Sequence, residues 1–282
     1  CSMTLVSRLS TLLIVLLLGG CSQEKVQAIQ GSIYGTTYSV QFTEDVDKEK
    51  IHTLVRAELD RIDMVFSTYK DDSEISKFNN CLSDPTYPPK SFCFKSVSKE
   101  FITLFERAEI IESMSMGAFT PRPLVTGGQT YDFSAIGKGY AVDKIGQVLV
   151  KNGISNYFID IGGEVSINGT KYGKTWTWGV NNPFNLDSSA YEAFEAPEDG
   201  ISVATSGEYR NPGHIWGEGP KDAVSITVIG EDATEADAWA TAMYVLGVEE
   251  GLKIAEKESL AVFFIKNDGE SVNSSEWSKI YP

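Results

Sequence analysis

Asp132-Phe133-Ser134-Ala135-Ile136-Gly137-Lys138-Gly139-Tyr140-Ala141-Val142-Asp143 is the stretch from which the fold can be read outward. An apolar strand pattern gives way here to a helical one. Ala141, Ile145, Val148 and Leu149 continue the helix, and Asn152-Gly153 closes it. A carboxylate and a run of small residues stand at the mouth of that helix. Free N–H groups and the positive end of the dipole favour an anion there. Lys138 adds a full charge at the same place. An ordinary strand–turn–helix corner with a surface lysine has the same local pattern, so the rest of the chain has to decide.

Upstream, Tyr34, Thr36, Tyr38, Val40 and Phe42 alternate on one face of a strand over Ser32 to Phe42. Helical spacing predicts helices over about 47–66 and 98–115, the second ending at Gly117. A loop at Ser67–Ser73, a helical turn at 73–79 and a Pro/Cys loop lie between them, and Val125 to Gln129 reads as a turn. Downstream, strands are expected at 156–161, 164–167 and 175–180, with Gly162-Gly163 separating the first two. An acidic loop spans 182–199. Strands at 201–205 and 223–229 follow, then a helix over 234–246 capped by Gly247, a short helix at 249–257 and a strand at 260–265. This order predicts an α+β fold with mixed or antiparallel sheets and packed helices.

The first twenty residues read as a leader rather than as part of the fold. Arg8 precedes an apolar run, Leu9 to Leu18, that is short for a membrane span. Leu18-Gly19-Gly20-Cys21 is a lipobox, so Cys21 is expected to carry the lipid. Residues 21–30 then form a tether, and 31–282 one domain. The protein is expected to be lipid-anchored and to face the periplasm. About 260 residues remain after the leader, enough for a large core. The charge of −15 becomes −16 once Arg8 leaves with the leader. Such an acidic surface argues against nucleic acid as a partner, and a bound anion would need local help. Cys81 and Cys93 either form a local disulfide in an oxidising compartment or stay free. With two histidines and no CxxC, a metal here should be a hard cation held by oxygen.

Asp237 and Thr241 supply such oxygens, four residues apart on one helix face. That face is not the core face if Trp239 and Met243 turn inward, but the small residues around it leave either side open. Several segments together resemble the ApbE-like flavin transferase lipoprotein family. They are Gly35-Thr36-Thr37-Tyr38, Ser67-Thr68-Tyr69 with Asp72-Ser73-Glu74, Gly117-Ala118-Phe119, the opening motif, Ile161-Gly162-Gly163-Glu164, Ala204-Thr205-Ser206-Gly207-Glu208-Tyr209 and Ala236-Asp237-Ala238-Trp239-Ala240-Thr241. They occur in the family's order and cover most of the chain.

The resemblance implies a Mg²⁺-dependent enzyme that moves FMN from FAD onto a threonine of an acceptor protein and releases AMP. It implies Mg²⁺ held by Asp237, Thr241 and the carbonyl of Ala135. It implies an FAD site that includes Tyr34, Tyr69, Ala118, Phe119, Thr120, Asp132 and Lys138. His214 is the candidate base for the threonine proton. The chain departs from the family pattern in three places. Pro121 to Tyr131 is short, Thr120 stands where the family has Asp, and a longer His-containing segment is reduced to His214-Ile215-Trp216-Gly217. Hydrolysis of FAD to FMN and AMP, or FAD binding without turnover, remain the alternatives.

Overall fold

The computed structural model describes residues 25–84, 86, 90–123, 130–210 and 212–282. The leader, Cys21, the three prolines of the Pro/Cys loop and the turn expected at Val125–Gln129 lie outside them. Eight strands form one sheet in the order β1-β2-β3-β4-β7-β8-β9-β10, antiparallel at every pairing. These are β1 (Gln27–Ile33), β2 (Thr36–Phe42), β3 (Tyr157–Ile161), β4 (Glu164–Asn168), β7 (Ile201–Ser206), β8 (Ala223–Gly230), β9 (Ala261–Lys266) and β10 (Ser271–Asn273). A separate hairpin pairs β5 (Thr177–Val180) with β6 (Glu192–Glu195). The helices are α1 (Lys48–Phe66), α2 (Glu74–Ser83), α3 (Lys99–Met114), α4 (Ser134–Lys151), α5 (Ala233–Glu258) and α6 (Ser275–Ile280).

The period-2 alternation of the strands divides the apolar residues between two cores. Val262 and Phe264 of β9 face the larger core, which α1–α5 cover. Ala261, Phe263 and Ile265 face a smaller one with Trp176, Trp178, Phe194 and Trp277. Several expectations change. The strand read over Ser32–Phe42 is a hairpin, because Tyr34 and Gly35 both take positive φ, at 51° and 72°, and turn the chain. Its first strand begins at Gln27, inside the stretch read as tether, so the tether ends before β1. The approach to α4 is irregular rather than a strand. Strand β6 interrupts the acidic loop, and α6 ends the chain. Two expectations hold: Gly247 (φ 73°) breaks α5, as its reading as a cap predicts, and the helix expected at 249–257 follows directly, reaching Glu258.

Cys81 and Cys93 are bridged, with 5.9 Å between their Cα atoms, which settles the open alternative. The bridge joins the end of α2 to the 3₁₀ segment Lys90–Ser96. The short 121–131 segment is tied at its neck. Asp132 N–H donates to the Pro121 carbonyl at 2.8 Å, and Asn79 of α2 bonds both backbone groups of Tyr131. Arg122 lies over the Tyr131 ring and pairs with Glu109 and Glu112. The chain is therefore delivered to the start of α4 in a fixed direction.

Candidate active site

Strand direction gathers the motif residues at one end of the sheet. Gly162 N–H donates to the Thr37 carbonyl, so the turn between β3 and β4 lies against the start of β2. A Cβ at Gly162 (φ 68°) would lie 2.8 Å from the Thr36 side chain, which is why the turn requires glycine. Glu164 follows that turn and pairs with Ala204. β7 ends beside it at Ser206, whose hydroxyl is 3.4 Å from Thr241 Oγ1 on α5.

Helices α4 and α5 close the site from one side. Their crossing is set by Gly139, where an added Cβ would meet the Ala233 carbonyl oxygen at 2.0 Å. The alanine-rich first half of α5 allows this approach. Asp143 of α4 accepts from Ala233 N–H and Thr234 N–H, each at 2.9 Å, and from the Thr234 hydroxyl. With Asp232, held by Arg107, it supplies acceptors to the first N–H groups of α5. The Asp143 carboxyl is pushed up to about 6 by burial, which outweighs these bonds.

Asp237 is buried, which settles the side its helix position left open. Helix α5 is covered on almost every side, so its face cannot be assigned by asking where Trp239 points. The carboxylate accepts from Gly139 N–H at 2.9 Å. That N–H is the i+4 partner of the Ala135 carbonyl in a regular helix, so Asp237 and Ala135 stand at the same turn of α4. Burial pushes the Asp237 carboxyl up, while Lys138 and the α4 N–H groups pull it back. Lys138 Nζ pairs with Glu164 Oε1 at 2.6 Å. Burial alone would lower the Lys138 ammonium, but Glu164, Asp237 and Asp160 hold it above the ordinary lysine value. Asp160 and Glu164 are both pushed up, chiefly by burial. Carboxylates therefore outnumber cations in this buried corner.

That excess suits a bound cation, and the donors are carboxylate, hydroxyl and carbonyl oxygens, which fit Mg²⁺. No group of three or more His, Cys, Asp or Glu among the described residues could enclose a metal. A site of one carboxylate and neutral oxygens instead leaves room for water and phosphate oxygens, the usual Mg²⁺ arrangement.

The remaining candidates divide. Asp132 Oδ1 accepts from Ser134 N–H at 2.8 Å and so helps cap α4. Tyr34 sits in the β1–β2 turn with its hydroxyl donating to the Leu59 carbonyl at 2.8 Å, so that group serves the scaffold. Phe119 is fully buried and Ala118 packs against the same core. Thr120 bonds Glu112, which also holds Arg122. Tyr69 is 97% exposed on the loop after α1. His214 lies on an exposed loop between β7 and β8. Glu208 anchors that loop: it accepts from Ile215 N–H, from Lys221 and from the Tyr244 hydroxyl of α5. Glu164, Asp143 and Glu208 are the site residues that sequence reading left without a role. All three stand in the motifs that carry the family resemblance, each a carboxylate near small residues, which is the available signal.

A family model described as the ApbE family matches residues 34–127 and 124–264. Its two pieces meet inside the short Pro121–Tyr131 segment. An FAD:protein FMN transferase of Haemophilus influenzae is 29% identical, the match covering 93% of this chain and 92% of that protein. That match runs over 321 aligned positions, more than the 282 residues here. The protein of the same name from Escherichia coli (strain K12) is 26% identical over 94% of this chain and 93% of its own. Among solved structures, the apo flavinyl transferase ApbE of Pseudomonas stutzeri has a TM-score of 0.77 at 25% identity, covering 92% of this chain and 99% of that one.

Proposed function

The chain belongs to the ApbE family, and from that premise we propose that it transfers FMN from FAD to a threonine hydroxyl of an acceptor protein. The relatives' names support FAD as donor and a protein as acceptor. The observation that carries the reading is the contact of Asp237 with Gly139 N–H, which sets a buried carboxylate beside Lys138 at the mouth of α4. Negative, neutral and positive groups meet there as a pyrophosphate and its counter-ion require.

In the reaction, the threonine oxygen bonds to the FMN-side phosphorus, and the bond from that phosphorus to the bridging oxygen breaks. AMP leaves with the bridging oxygen, and the hydroxyl proton passes to a base. Mg²⁺, when bound, would draw charge from the pyrophosphate oxygens as a Lewis acid. Asp237, Thr241 and the Ala135 carbonyl would hold it. Lys138 binds the phosphates from the other side, close to the positive end of the α4 dipole. His214 is the proposed base, on a loop that Glu208 anchors to α5. Tyr69 offers an uncovered ring for flavin stacking. Phe119 and Ala118 back the pocket from the core, and Tyr34, Thr120 and Asp132 shape its wall while their polar groups hold the scaffold.

The same proposal includes export. Residues 1–20 would be removed, Cys21 lipidated, and the domain held at the membrane facing the periplasm. The Cys81–Cys93 bridge suits an oxidising compartment. Among the described residues no helix is long and apolar enough to cross a membrane. Labelled fatty acid should enter the parent and not Cys21→Ser; entry into both would refute the anchor. The activity is tested by incubating the protein with FAD, Mg²⁺ and a candidate acceptor, then weighing the acceptor. An added FMN mass, abolished by replacing the acceptor threonine with alanine, is expected. Free FMN without acceptor modification would mean hydrolysis, and FAD binding without AMP would mean no turnover.

A further inference from the structure

A buried carboxylate stands beside the proposed anion subsite without a role in the reaction. Glu164 opens β4 directly after the Gly162-Gly163 turn and is 1% exposed. Its Oε1 lies 2.6 Å from Lys138 Nζ. Its Oε2 is buried and has no hydrogen-bond partner among the described residues. Leaving a carboxylate oxygen in that state costs folding free energy, and an apolar side chain of similar volume would avoid the cost. Packing therefore does not account for a glutamate at this position.

Lys138 does account for it. About a third of the lysine side chain is exposed, while Glu164 is rooted in the sheet. An ammonium has three N–H donors, so one bond to Glu164 leaves two for a ligand. A free lysine side chain has many rotamers, and most of that freedom is lost on binding an anion. A partner that fixes the ammonium in advance moves that loss from the binding step to folding. We infer that Glu164 is a positioning residue, which holds Lys138 Nζ where the pyrophosphate of FAD will meet it and acts on that substrate only through the lysine. The inference rests on the proposed function for the identity of the ligand.

Charge and positioning make opposite forecasts, which gives the test its edge. As a bare negative charge, Glu164 would repel a pyrophosphate, and its removal would tighten FAD binding. As the holder of Lys138, its removal weakens binding. The experiment titrates FAD by flavin fluorescence at fixed Mg²⁺ into the parent, Glu164→Gln, Glu164→Asp, Lys138→Met and the Lys138→Met/Glu164→Gln double variant, with thermal melts of each. Glu164→Gln should weaken FAD by about tenfold, the scale of one charge-assisted hydrogen bond. Glu164→Asp, which keeps the charge on a shorter arm, should fall between parent and Gln. In the Lys138→Met background Glu164→Gln should cause no further loss. Unchanged or tighter binding by Glu164→Gln overturns the inference, and so does an equal loss with Lys138 already gone. If Glu164→Gln does not fold, Glu164→Asp carries the same comparison. A parent that binds no FAD sinks the transferase reading and this inference with it, whereas a parent that binds beside an unaffected Glu164→Gln sinks this inference alone.

Discussion

The two faces of the eight-stranded sheet are built by opposite means. On the helix face, small residues bring α4 and α5 together until backbone meets backbone, around Lys138, Glu164 and Asp237. On the other face, Trp178, Phe194, Phe263, Trp277 and Tyr281 pack ring against ring, with centroids 4.6–6.2 Å apart. The aromatic face buries large apolar area, which stabilises the fold in proportion. The charged corner does the reverse, since burial pushes its carboxyls up and one oxygen finds no partner among the described residues. On the proposed function, stability and chemistry fall on different sides of one sheet, and substitutions on each side should separate them.

The largest effect is expected at Asp237. Asp237→Asn keeps the shape and removes the charge, so transfer should fall by roughly a thousandfold, several kcal/mol in the transition state. Because burial disfavours that carboxylate, the melting temperature should hold or rise. Rates against Mg²⁺ concentration, run beside melts, check both halves; Thr241→Val should show the same pattern more weakly. Trp277→Ala on the other face should invert it, losing about 3–5 kcal/mol of stability while the surviving folded protein binds FAD like the parent. Urea unfolding with FAD titration decides this, and a large affinity change would join the faces that the comparison separates. Reducing the Cys81–Cys93 bridge frees a 12-residue separation and should cost about 3 kcal/mol on chain entropy. Denaturation with and without reductant measures it.

The smallest effect is a pH slope. The Asp143 carboxyl sits at about 6 in the folded protein because burial disfavours its charge, against about 3.9 unfolded. Between those values the folded protein keeps a proton that the unfolded chain has released. The contribution of this group is therefore fullest below about pH 4 and declines as pH rises through about 6. Asp143→Asn should flatten stability across that window by about 1 kcal/mol, less than the full shift because the group is partly exposed. Unfolding free energies compared between the two proteins over that range test the sign.

Helices α1, α3 and α4 were legible because their apolar spacing is long and regular, and Gly247 marked a real break in α5. The hairpin of β1 and β2 was not. Tyr34 keeps the alternation going through the turn, so the period alone runs straight over it. Strand β6 and helix α6 were missed for another reason: Phe194 and Trp277 become core only when the chain returns to β9. In the site, the Asp237–Thr241 spacing was readable, but the burial of Asp237 was not. A helix walled with alanine has no apolar stripe to show which side faces in. Glu164 was visible as a residue and invisible as a partner, since its link to Lys138 joins a strand to a helix through the folded sheet.

Gly139 sets a limit on how this protein can change. Every other amino acid is larger than glycine, and the first atom added there would collide with the backbone of α5 rather than with a side chain that can swing aside. Variation at the crossing is closed in the one direction available to it. The ends of the 121–131 segment, by contrast, are held by hydrogen bonds rather than by backbone packed against backbone. Lineages of this fold should diverge by lengthening and trimming loops around a junction machined to zero clearance. The tolerance of that single position, mapped by saturation substitution, would measure how far the two helices can part before the charged corner comes apart.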